Sequence, residues 1–264
     1  MSTVHANGID IHYRQEGEGP DLVMIMGLGA HSGAWLLNAP ALAKQFRVTT
    51  FDNRGTGRTS APDEPYSMHG MADDAASLMS MLGLNRAHVL GASMGGMIAQ
   101  ELAINYPERV DRLVLACSRA KTSELRRKVS IAQRALWEAD VPRESITAIQ
   151  QPWGATTAVT QDESKVLMQL ALGAKDPYPI KKHAYLRQLD ATMAHDTLDR
   201  LGRISAPTLV LVGAEDILTP PAESIELAAR IPGAQLKILP RGGHGFLGEY
   251  PADFNAAVAA FLLA

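Results

Sequence analysis

The chain has 264 residues, enough for one large domain with a substantial core. With 46% apolar and 20% charged residues it is globular rather than disordered, and a net charge of −3 gives no electrostatic case for nucleic acid or an anionic membrane as a partner. A single cysteine, Cys117, excludes an internal disulfide framework. No basic-then-apolar leader and no bilayer-length apolar run is present, so a cytoplasmic location is the expectation.

In chain order, residues 9–16 (IDIHYRQE) alternate apolar and polar, as a half-exposed strand would. Short continuous apolar runs follow at 22–26, 48–51, 87–90, 112–116, 208–212 and 235–239, each stopped by Gly, Asp or Pro or at a loop. Helical segments are expected at about 68–83, 94–106, 221–231 and 252–263. Buried-strand runs alternating with helices predict an α/β fold with a mostly parallel central sheet flanked by helices. The alternation fails from about 120 to 200, where SELRRKVSIAQRALWEAD and SKVLMQLALGA have helical spacing and no strand run appears. That stretch is too long for an ordinary crossover. It predicts a helical cap insertion over 120–196, with the core formed by 1–119 and 197–264.

The run VLGASMGGMI at 89–98 places Gly91-Ala92-Ser93-Met94-Gly95 between a strand and a helix. In that context the serine sits on a sharp, strained turn that exposes its hydroxyl, with Gly91, Gly95 and Gly96 giving the limbs room. A serine needs a base at neutral pH. Of eight histidines, His244 in Arg241-Gly242-Gly243-His244-Gly245-Phe246 follows the last strand run, where parallel sheets gather catalytic groups. His5, His12, His69 and His88 read as structural. Glu215 and Asp216 both follow LVLVGA; Asp216, placed at the loop before the next helix, is the expected partner that orients the imidazole. An oxyanion would rest on two backbone N–H groups, of Met94 after the nucleophile and of Leu28 in the loop after the first core strand.

Other residues carry weaker signals. Asp52 to Arg58 reads as a turn that ties core loops together, and Trp35 as a core anchor. His31 and Ser32 lie near the Leu28 loop, within reach of either substrate or loop packing. Trp137, Trp153, Met168 and Leu172 fit both an apolar pocket lining and ordinary helix packing, and His195 and Asp196 fit a hinge at the end of the insertion. Cys117 lies in an apolar run and reads as an inert buried thiol. No pattern calls for a metal or a cofactor.

MGLG at 26–29, DNRGTGR at 52–58, GASMGG at 91–96, PTLVLVGAED at 207–216 and GGHGF at 242–246 together resemble the α/β-hydrolase fold superfamily over nearly the whole chain. Within it the chain is similar to small serine esterases and lactonases, the enol-lactonase-like enzymes included. The resemblance implies a cofactor-free Ser93–His244–Asp216 hydrolase of a small, largely apolar ester or lactone. Amide, thioester or carbamate hydrolysis, acyl transfer, a cofactor-free oxygenase and a receptor-like binding protein are the alternatives. Two departures narrow it. Met26 stands where many relatives carry histidine, and the loop lacks the Gly-Pro-Gly of carbon–carbon bond hydrolases. Serine at the elbow disfavours dehalogenase and epoxide hydrolase chemistry, which needs a carboxylate nucleophile.

Overall fold

The computed structural model describes residues 2–264, except the side chain of Leu172. The chain runs β1 (Ser2–Ala6), β2 (Ile9–Glu16), β3 (Asp21–Ile25), α1 (Ala39–Leu42), β4 (Arg47–Phe51), α2 (Met68–Met81), β5 (Ala87–Ala92), α3 (Met94–Asn105) and β6 (Val110–Ala116). Five helices follow: α4 (Glu124–Glu138), α5 (Arg143–Gly154), α6 (Thr157–Thr160), α7 (Glu163–Ala174) and α8 (Lys182–Ala194). The chain then returns through β7 (Thr208–Gly213), α9 (Pro221–Arg230), β8 (Gln235–Leu239), α10 (Phe246–Glu249) and α11 (Pro251–Leu262).

The eight strands form one sheet in the order β1-β2-β4-β3-β5-β6-β7-β8. The β1–β2 and β2–β4 pairs are antiparallel and the rest parallel. The inner strand runs are rich in apolar residues because both faces are covered. The run at 235–239 departs from that expectation: β8 is an edge strand, and Leu236 and Ile238 are exposed on it. Val23, Ile25, Val89, Leu113, Leu115 and Val210 pack on one face with α2, α3 and α9. Their alternates Leu22, Met24, Leu90, Val114, Leu209 and Leu211 pack on the other with α1 and α11. Trp35 is a core residue of that second face, as expected.

Strand β1 was not foreseen. Its five residues, STVHA, are mostly exposed and carry no apolar run. The signal lies after it. Asn7 and Gly8 have φ of 49° and 76°, the two left-handed positions of a tight hairpin turn, and register Ala6 opposite Ile9.

Asp52 to Arg58 does fasten loops. Asp52 accepts from the Ser32 and Arg58 amides, and buried Arg54 forks onto Asp74 at 2.6 and 2.7 Å. Among the described residues no helix is long and apolar enough to cross a membrane.

Candidate active site

Strand β5 ends at Ala92, and the chain turns directly into α3. Ser93 takes φ 56° and ψ −118° to make that turn. Such a conformation costs a non-glycine residue about 1–3 kcal/mol and holds only where the surroundings enforce it. They do. A Cβ on Gly91 would meet Gly95 O at 2.3 Å, and one on Gly95 would meet Ile25 O at 2.1 Å. The Ser93 amide donates to Ala116 O and its carbonyl accepts from the Ser118 hydroxyl, both at 2.9 Å.

Three groups far apart in sequence converge here. His244 Nε2 lies 2.9 Å from Ser93 Oγ, and His244 Nδ1 lies 2.9 Å from Asp216 Oδ2. Asp216 is buried, and its other oxygen accepts from the Leu218 and Thr219 amides at 2.8 Å each. Of the two acidic candidates, Asp216 therefore faces the imidazole; Glu215 accepts instead from the Gly242 amide. A carboxylate so held fixes Nδ1 as the protonated nitrogen and leaves Nε2 to accept from the serine.

Sequence reading missed three supports of this arrangement. The buried Thr219 hydroxyl lies 2.7 Å from Asp216 Oδ2, 3.0 Å from His244 Nδ1 and 3.0 Å from Cys117 O. Glu249 accepts from the Gly243 amide next to the histidine and from the Thr156 amide in the helical insertion, clamping the two together. Gln188 of α8, fully buried, accepts from the Gly29 amide at 2.9 Å and donates to Arg54 O. The Leu28 loop is thus anchored with Met26 at its start: Asn53 Nδ2 donates to Met26 O at 2.7 Å, and Gln188 holds the next turn.

Ser93 and His244 open onto a cavity of about 320 Å³ between the strand ends and the insertion. Leu28 and Met94 line it, together with Met26, Met97, Leu189 and Leu247. Two cations also line it. Burial lowers the Arg119 guanidinium to about 10 and lowers that of Arg126 as well.

The candidate substrate residues separate. Trp153 lines the cavity. Trp137 does not; it stacks on Tyr185, which does, with ring centroids 4.3 Å apart. Met168 faces a different, outer cavity of about 690 Å³. His31 is also turned away, because both its ring nitrogens are engaged: Nε2 with Asp176 at 3.1 Å, and Nδ1 accepting from the Gly33 amide. The Leu172 side chain lies outside the described residues. Cys117 is buried, and burial pushes its thiol well up, consistent with an inert thiol. It lies with Asp216 and His244 in the one metal-compatible cluster among the described residues. A thiol so hard to ionise is a poor ligand, and the other two are bound to each other.

Comparison with known proteins agrees with this architecture. Residues 20–251 match the family model described as alpha/beta hydrolase fold. A protein of Agrobacterium fabrum, provisionally named carbamate hydrolase RutD, is 31% identical, with 96% of this chain and 97% of that protein covered. The crystal structure of an enol-lactonase from Burkholderia xenovorans LB400 superposes with a TM-score of 0.91 at 28% identity, covering 100% of both chains. A Mycobacterium tuberculosis protein provisionally named non-heme bromoperoxidase BpoC gives 0.88 at 32% identity, over 96% of this chain and 95% of that one. With the family model spanning most of the sheet and the elbow inside it, the chain belongs to the alpha/beta hydrolase fold family.

Proposed function

We propose that this hydrolase cleaves a small, largely apolar carboxylic ester or lactone through an acyl-enzyme on Ser93. The observation that carries the reading is the unbroken chain Ser93 Oγ–His244–Asp216, with both links at 2.9 Å, opening onto a mostly apolar cavity. His244 Nε2 takes the serine proton as Oγ attacks the carbonyl carbon. The carbonyl oxygen becomes an oxyanion and rests on the N–H groups of Leu28 and Met94. Among the described residues neither N–H donates to a protein acceptor, so both remain available to it. His244 returns the proton to the leaving alkoxide. Water, deprotonated by the same imidazole, then attacks the acyl carbon and releases the acid and Ser93. Asp216 steadies the imidazolium in both halves without taking its proton.

The helices of 120–196 act in this reading as a cap that supplies the substrate walls. A carbamate is the second reading, favoured by the name of the Agrobacterium relative; it has the same carbonyl and needs the same attack.

Ser93→Ala tests the mechanism against short-chain 4-nitrophenyl esters, lactones and a phenyl carbamate. A loss of about a thousandfold or more in kcat/KM is expected. Activity within about tenfold of the parent would sink the mechanism, whichever substrate proves best.

A further inference from the structure

The helices α4–α8 hang from a narrow neck. The chain leaves the sheet after β6 and returns ahead of β7, and the two segments are stitched together. Lys121 pairs with Asp196 as an isolated antiparallel bridge and as an ion pair at 2.6 Å, and the Thr197 amide donates to Ala120 O at 2.9 Å.

A line of polar groups joins this neck to the nucleophile. Thr197, Gln100 and Ser118 are all fully buried. The Thr197 hydroxyl donates to Gln100 Oε1 at 2.6 Å, with Ala120 O at 3.2 Å as a weaker second acceptor. Gln100 Nε2 donates to Arg119 O at 3.1 Å and reaches Ser118 Oγ at 3.5 Å. Ser118 Oγ donates to Ser93 O at 2.9 Å. Each side-chain donor has an acceptor, and donation runs one way, from the neck to Ser93. In a buried, low-dielectric setting such a line couples its members, and a cut in one link is felt at the others. Two local features hold Ser118 in place. Cys117 before it takes φ 42°, with its amide on Leu211 O and its carbonyl accepting from the Thr219 hydroxyl. Gly96 leaves the room, since a Cβ there would lie 2.5 Å from Ser118 Cβ.

The last link matters because of what shares its peptide. The Ser93 carbonyl and the Met94 N–H belong to one planar trans unit and point in opposite directions. Ser93 O also accepts from the Gly96 and Met97 amides, which belong to α3 itself; Ser118 grips the same oxygen from outside the helix. We propose that Ser118 and Gln100 are positioning residues for the hydrolysis. Through the Ser93 carbonyl they fix the peptide plane that aims the Met94 N–H at the oxyanion, and they tie that plane to the neck at Thr197. This rests on the reading of Ser93 as nucleophile and of the Met94 N–H as oxyanion donor. Among the described residues that line the catalytic cavity, Ser118, Gln100 and Thr197 do not figure, so their effect on turnover passes through Ser93 and Met94.

The test is kcat and KM for 4-nitrophenyl butyrate, expressed per Ser93 titrated with a fluorophosphonate, so that unfolded protein is not counted. Ser118→Ala should lower kcat about fivefold and Thr197→Val, which keeps its shape, about threefold, each with KM within about twofold of the parent. The inhibition constant of a trifluoromethyl ketone, which adds to Ser93 Oγ and carries the oxyanion, should rise by the same factors. The double variant should lose little more than Ser118→Ala alone, because both changes cut one line. A kcat per titrated site within about 1.5-fold of the parent in both single variants assigns these residues to stability alone and overturns the inference. Losses that multiply in the double variant overturn the link to the neck. Thr197→Val carries the test even where Ser118→Ala fails to fold. Failure of the underlying reading looks different: the parent would then escape fluorophosphonate labelling and Ser93→Ala would keep its activity, and the inference would fall with it.

Discussion

The two walls of the cavity are built under different rules. Below it, the ends of β5, β7 and β8 are made by the backbone. Small residues occupy points of contact, Asp216 and His244 are partnered, and the strained Ser93 is clamped on both limbs. Above it, α4–α8 are made by side-chain packing. Leu125, Ile131, Leu167 and Met168 are exposed on these helices, and buried polar atoms of Arg126 and Trp137 lack partners. The lower wall has almost no freedom to vary, and the upper wall has much. In the proposed mechanism the reaction belongs to the first, and the second supplies the substrate contacts that the variants below test.

Glycine is the sharpest probe of that contrast. In Gly95→Ala the new Cβ would lie 2.1 Å from Ile25 O, a backbone atom that cannot swing away. The expected cost is about 3 kcal/mol of stability, with loss of Ser93 labelling in whatever still folds. In Gly154→Ala, on the insertion, the new Cβ would meet nothing within 4 Å. Its stability should stay within about 0.5 kcal/mol of the parent. Urea unfolding of the two variants checks both figures, and equal losses would abolish the distinction.

Thr219→Val extends the comparison to a side chain that sequence reading missed. It keeps the shape and removes the hydroxyl that lies against Asp216, His244 and Cys117 O. The expected result is a drop in kcat of about tenfold or more with KM little changed, since the loss falls on groups that act in the transition state. A rise in KM alone would assign Thr219 to the pocket instead.

The same contrast explains what was legible. Ser93, Asp216 and His244 each follow a core strand run, and a strand end leaves a local trace: an apolar run, then glycine and a polar group. The sheet was legible for the same reason, except β1, whose only signal is Asn7-Gly8. Gln188, Glu249 and Arg119 left no such trace. Gln188 acts on Gly29 and Arg54, 159 and 134 residues away, and nothing local to α8 predicts that contact. Helical spacing likewise cannot say which face of an insertion meets a cavity, so Trp153 was placed there and Met168 elsewhere only by the packing. Trp153→Ala should therefore raise KM about fivefold, while Met168→Ala should stay within about twofold in steady-state kinetics.

His195 sits where the two walls join, just after α8, and its effect has the clearest sign. It is 5% exposed and neither ring nitrogen has a partner. Burial depresses it to about 4, opposed by Glu101 and Asp196 and assisted by Arg119 and Arg200. The folded pKa lies below the unfolded value of 6.5, so between the two only the unfolded chain binds the proton. The contribution is fully present above about 6.5 and is lost as pH falls toward 4. At pH 5 that amounts to about 2 kcal/mol of stability lost relative to pH 8. His12 and His88 are depressed by burial too and add to the same slope. His195→Leu removes one titrating group and leaves those two. Its stability at pH 8 should match the parent within about 1 kcal/mol, because an apolar group replaces two unsatisfied nitrogens. At pH 5 it should be the more stable protein by about 2 kcal/mol relative to that baseline. Parallel urea midpoints for parent and variant from pH 8 to pH 5 would show that His195 stays protonated in the fold, and the junction of the two walls would then hold a charge rather than a neutral ring.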